Sequence, residues 1–152
     1  MLLYFTGCSR SSAAIIDEQK KNTESRKGDA IEAMHRIKQS AIDTKLALLK
    51  GDINAFADIL REAWENKKRM ANNITNTMIQ EAMDTAIKAG AKAGKVSGAG
   101  GGGFIMFVVE PTRKKEVEQA LSKLDGFVMP FNFSDGGAHG WKIYDTDNIK
   151  AF

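Results

Sequence analysis

The sequence predicts an α+β domain in which helices cover one face of a sheet. Continuous apolar runs at Leu2-Leu3-Tyr4-Phe5 and at Phe104 to Val109 read as buried strands. Between them, several stretches carry apolar residues at helical spacing, and an alternating segment near the C-terminus reads as a further strand. At 152 residues the chain, 1–152, is most simply one domain. Its 43% hydrophobic and 27% charged content is that of an ordinary globular protein. A net charge of +3 suits an anionic substrate but is too small to argue for nucleic acid or a membrane surface. One cysteine, Cys8, cannot close an internal disulfide, and no leader-like segment or membrane-length apolar run is present. These features together read as cytoplasmic.

The first strand starts at the second residue, so a preceding half, absent from this chain, is expected. Gly7-Cys8-Ser9-Arg10-Ser11-Ser12 then turns into a helix over 13–22. A serine-rich turn at a helix start offers hydroxyls, free N–H groups and here a guanidinium, which makes Ser9, Arg10 and Ser11 candidate contacts for a phosphate or sugar. The same residues serve equally as helix caps with a solvated arginine. Residues 20–27 lack apolar periodicity and read as a loop.

Asp29 and Glu32 have the spacing of a capping box, opening a helix with Ile31, Met34, Ile37, Ala41 and Leu48 on one stripe and Gly51 beyond its end. Asp52 caps the next helix, where Phe56, Ile59, Leu60, Ala63 and Trp64 recur at helical spacing. Trp64 falls on that stripe and reads as core. Lys67, one turn on, is a candidate substrate contact, or else part of a solvated face with Lys68 and Arg69. Thr77 and Gln80 suggest a third cap, before a buried face of Ile79, Met83, Ala86 and Ile87. That helix leads directly toward the glycine-rich segment.

Five of the fourteen glycines lie within residues 98–103. Ser97, Gly98, Ala99, Gly100, Gly101, Gly102 and Gly103 therefore expose bare backbone, whose N–H groups can form a nest for anionic oxygens. Gly98, Gly100 and Gly103 satisfy G-x-G-x-x-G, but a helix before and a strand after is the reverse of the dinucleotide fingerprint. No Lys-Ser or Lys-Thr follows, as a Walker loop would require, and the downstream elements of a protein kinase are missing.

Past the 104–109 strand, Thr112 opens a helix running to Leu124, with Val117, Ala120, Leu121 and Leu124 inward and Arg113, Lys114 and Lys115 outward. Phe127, Met129, Phe131 and Phe133 alternate as a half-buried strand. Ser134-Asp135-Gly136-Gly137 turns the chain, and 139–144 reads as a last strand with Trp141 and Ile143 on one face. His35 and His139 lack the spacing and company of a metal site.

Lys95-Val96-Ser97-Gly98-Ala99-Gly100-Gly101-Gly102-Gly103-Phe104 resembles the third signature motif of the GHMP small-molecule kinases. Thr6-Gly7-Cys8-Ser9-Arg10-Ser11, Glu62 to Lys68 and Ala86 to Ala91 are similar to stretches of the branch that acts on D-glycero-D-manno-heptose phosphates. The resemblance implies a ferredoxin-like C-terminal domain with a mainly antiparallel sheet. It also implies an ATP-dependent sugar kinase whose ATP, Mg²⁺ and catalytic groups belong mainly to the absent N-terminal half. It places residues 97–103 at the nucleotide phosphates and Ser9, Arg10, Ser11 and Lys67 toward the sugar phosphate, with no catalytic residue in this chain. Three classes stay open: part of such a kinase for heptose or another sugar such as fucose, a non-catalytic phosphate-binding domain, and a nucleic-acid module favoured only by basic charge. Self-association into a homo-oligomer is open as well.

Overall fold

Strands β1 (Leu2–Phe5), β2 (Ala91–Val96), β3 (Phe104–Val109) and β4 (Phe127–Met129) form one antiparallel sheet in the order β2-β3-β1-β4. The computed structural model from which this is read describes residues 1–8, 12–25 and 28–141. Between β1 and β2 come α1 (Ser12–Glu24), α2 (Gly28–Leu49), α3 (Ile53–Lys68) and α4 (Thr77–Lys88), and α5 (Lys114–Leu121) joins β3 to β4. A helical crossover, a hairpin and a second crossover make this the split βαβ arrangement of ferredoxin-like domains. The α+β expectation holds.

Strand alternation divides the side chains between two faces. Leu2, Tyr4, Ile105, Phe107 and Val96 point toward α4 and α5, where Ile79, Met83, Ala86, Val117 and Leu121 complete the main core. On the other face α3 covers only one end, through Ala57 and Leu60 on Ala93 and Val108. Phe5 is left there between Phe104 and Phe127, with ring centroids 5.1 and 5.4 Å away. Trp64 is buried in the core, as its place on the α3 stripe predicts.

Several local expectations are corrected. Helix α1 runs to Glu24, so residues 20–24 are helical rather than a loop. Asp29 lies inside α2, where its carboxylate accepts hydrogen bonds from Arg69 instead of capping the helix. The buried stripe of α2 is Ala30, Ala33, Ser40 and Ala47, while Met34 and Leu48 are exposed, because small side chains allow α3 to pack closely. The cap of α4 is Asn76, whose Oδ1 accepts from Ile79 N–H at 2.9 Å, and Gln80 bonds Asp84 instead. Ile87 is exposed, and Ala82 takes the core position. Thr112 sits in a single 3₁₀ turn, Pro111–Arg113, and α5 ends at Leu121.

Strand β4 is short and its phase is opposite to that expected. Val128, opposite Tyr4, faces inward, whereas Phe127 and Met129 lie on the open face. Residues 130–141 form no strand, and the remainder of the expected last strand lies outside the described residues.

The largest omission is β2. Ala91-Lys92-Ala93-Gly94-Lys95-Val96 has few residues of high strand propensity, and pairing with β3 makes it a strand. A Cβ on Gly94 would come within 2.6 Å of both Met83 Sδ and Phe107 Cε1, so the helix above requires bare backbone there. The glycine-rich segment is therefore a strand-to-strand connection. A dinucleotide fold stays excluded because a strand, not a helix, follows the loop.

Candidate phosphate loop at one end of the sheet

The β2–β3 loop, residues 97–103, closes over the end of the sheet where β1 also finishes. Its base is fixed by Ser97 N–H donating to Phe104 O at 2.8 Å and Thr6 N–H donating to Gly103 O at 2.9 Å. Gly103 N–H in turn donates to Cys8 O at 2.8 Å, and Gly101 N–H donates to Ile74 O at 2.8 Å. Asn76 uses both ends of its amide, capping α4 and donating from Nδ2 to Gly101 O at 3.0 Å. The helix start and the loop thus share one side chain.

All five loop glycines have positive φ. Two of them also lack room for a side chain. A Cβ on Gly100 would stand 2.6 Å from Ile74 O, and one on Gly102 would stand 2.8 Å from Cys8 O. These contacts divide the loop into two limbs. Gly100, Gly101 and Gly102 form an anchored limb, Gly101 and Gly102 fully buried, whereas Ser97 and Gly98 are exposed and Ala99 is half-buried. The N–H groups of Gly98, Ala99 and Gly100 have no acceptor among the described residues. A Cβ at Gly98 would meet nothing within 4 Å. At Gly98 and Ala99 the loop therefore offers donors without an acceptor among the described residues, bordering open space at Gly98, which suits a phosphate.

Metal ligation fits less well. Among the described residues no three His, Cys, Asp or Glu side chains come together, so no Mg²⁺ ligand set can be named. Ser9, Arg10 and Ser11 lie outside the described residues, but they follow directly on Cys8, whose carbonyl holds Gly103. The two candidate segments are thereby joined at their roots. Lys67 is half-buried in the last turn of α3, and desolvation, followed by repulsion from Lys95, holds its ammonium below the ordinary lysine value. Lys95, on β2 just before the loop, opens the signature motif but was not among the expected ligand contacts, because the strand that sets it beside α3 was not read from the sequence.

A family model described as GHMP kinases C terminal matches residues 44–125, more than half of the chain. The chain belongs to the GHMP kinase family. It is 42% identical over 144 residues to the D-glycero-α-D-manno-heptose 7-phosphate kinase of Campylobacter jejuni, covering 93% of this chain and 41% of that protein. It is 28% identical over 123 residues to the L-fucokinase/L-fucose-1-P guanylyltransferase of Bacteroides fragilis, covering 80% of this chain and 13% of that protein. Among solved structures, a Campylobacter jejuni protein assigned as a sugar kinase superposes with a TM-score of 0.62 at 37% identity, over 93% of this chain and 38% of that one. The GHMP chain thus spans well under half the length of these relatives. Among the described residues no helix is long and apolar enough to cross a membrane.

Proposed function

We propose that this chain forms the C-terminal wall of the active-site cleft in an ATP-dependent kinase acting on a D-glycero-D-manno-heptose phosphate. The observation that carries the reading is the outer loop limb at Gly98 and Ala99, whose N–H groups have no acceptor among the described residues and where a Cβ on Gly98 would meet nothing within 4 Å. The 42% identity to the Campylobacter heptose 7-phosphate kinase supports the acceptor class. Phosphoryl transfer is accelerated mainly by positioning and by fixed charge around the transferring group. Bound ATP would supply the phosphoryl group. In this reading the 97–103 loop supports the nucleotide phosphates with backbone donors, while Ser9, Arg10, Ser11 and Lys67 face the acceptor. The groups that hold Mg²⁺ and exchange the acceptor proton belong to the N-terminal half of the kinase, and the reaction runs in the cytoplasm.

The anomeric hydroxyl is the proposed acceptor. A fucose-type acceptor is the second reading, favoured by the Bacteroides relative. A chimera joining this chain to the remaining part of the Campylobacter enzyme separates the two. Given ATP, Mg²⁺ and heptose 7-phosphate, it should form a new anomeric phosphate visible by ³¹P NMR. Turnover of fucose with none of the heptose phosphate would replace the first reading by the second.

A further inference from the structure

The seam between α3 and β2 carries six basic side chains if the Arg69 that ends α3 is included. Four have acidic partners: Arg61 with Asp58, Lys68 with Glu65, Arg69 with Asp29 and Glu32, and Lys92 with Glu110. Lys67 and Lys95 have none among the described residues. Yet these two are placed together by the fold. Lys67 continues the α3 stripe of Ala57, Leu60 and Trp64, the stripe that packs inward. Lys95 lies two residues before Ser97, opposite Met106, which packs against the Ala57, Leu60, Ala93 and Val108 cluster under α3.

Both lysines are half-buried, and Lys67 loses proton affinity through desolvation and through its neighbour's charge. Like charges on flexible surface stems can simply separate. Here one stem belongs to a packed helix and the other to a paired strand. A dianion between them would turn mutual repulsion into two charge-assisted hydrogen bonds, beside loop donors that have no acceptor among the described residues.

We propose that Lys67 and Lys95 form a subsite for a phosphate dianion next to the exposed limb of the glycine-rich loop. Resting on the kinase reading, its occupant is the phosphate that the acceptor sugar already carries, and the nucleotide is the other source of the same chemistry. An acceptor without phosphate would leave the pair unneutralised. The subsite would thus select phosphorylated over plain sugars.

The first test uses the 152-residue chain, labelled for lysine side-chain NMR and titrated with inorganic phosphate at constant ionic strength. Lys67 and Lys95 signals should shift saturably while ion-paired Lys92 does not. Lys67→Met should abolish the shift at Lys95, and Lys67→Arg should keep it. Absence of a saturable shift in the unsubstituted chain overturns the subsite. The second test is kinetic, in the chimera described above. Lys67→Met and Lys95→Met should each raise KM for heptose 7-phosphate about tenfold, with KM for ATP changed less than about twofold. The reverse pattern would assign the subsite to the nucleotide and overturn the acceptor assignment. If the unsubstituted chimera turns over no sugar while the lysine shifts persist, the kinase reading fails and the phosphate subsite stands. Normal KM values in both variants would remove the subsite and leave the kinase reading in place.

Discussion

A methyl group at Gly98 would meet no atom within 4 Å, whereas at Gly100 it would meet Ile74 O at 2.6 Å and Ile74 Cγ2 at 2.9 Å. The two glycines therefore answer different demands, although both have positive φ. Gly98→Ala should cost only the left-handed backbone penalty, about 1 kcal/mol. It would, however, place a side chain where the phosphate approaches, and turnover of the chimera should fall about tenfold or more. Gly100→Ala should destabilise the fold by about 3 kcal/mol, because Ile74 anchors the loop and cannot withdraw. Urea unfolding of both variants checks the contrast. Equal stability losses would mean that the loop is not divided into a ligand-facing limb and an anchored one. Lys67→Met adds a complementary signature, since it removes a partly desolvated charge beside a like charge. Stability should be unchanged or rise by a few tenths of a kcal/mol even as phosphate affinity falls.

At the scale of elements, α4 and the loop are coupled through Asn76, which caps the helix and holds Gly101 O. Asn76→Ala should cost about 1 kcal/mol for the cap. It should also free the loop, so that amide exchange at Gly101 accelerates about fivefold or more while exchange in α5 stays unchanged. Uniform acceleration would indicate a general loss of stability instead. The elements differ in how far they could be read from sequence. β1 and β3 were legible because continuous apolar runs state their own burial, and α3 was legible in both its cap and its stripe. β2 was not, since Ala-Lys-Ala-Gly-Lys-Val becomes a strand only through β3 beside it and α4 pressing on Gly94. Of the candidate site, the glycine loop was visible as composition. Its division into limbs depends on Ile74 and Cys8, and the Lys67–Lys95 pair depends on a strand that local propensity did not reveal.

For the whole molecule, the half-open sheet and the outer side of α2 leave apolar surface uncovered. Phe127 and Met129 are exposed on the sheet, as are Ile42, Leu46 and Leu49 along α2. Patches of that kind drive association, so the 152-residue chain should self-associate at micromolar concentration in sedimentation experiments. A strictly monomeric chain at high concentration would contradict this. Fold and activity should also separate at this scale. The core joining β1, β3, α4 and α5 lies within the chain, whereas phosphoryl transfer needs charged groups on both sides of the transferring phosphate. The most direct measurement is steady-state ADP release from Mg-ATP and heptose 7-phosphate, made in parallel on the chain alone and on the chimera. Background rates are expected for the chain and sustained turnover for the chimera. Sustained sugar-dependent turnover by the 152 residues alone would contradict this.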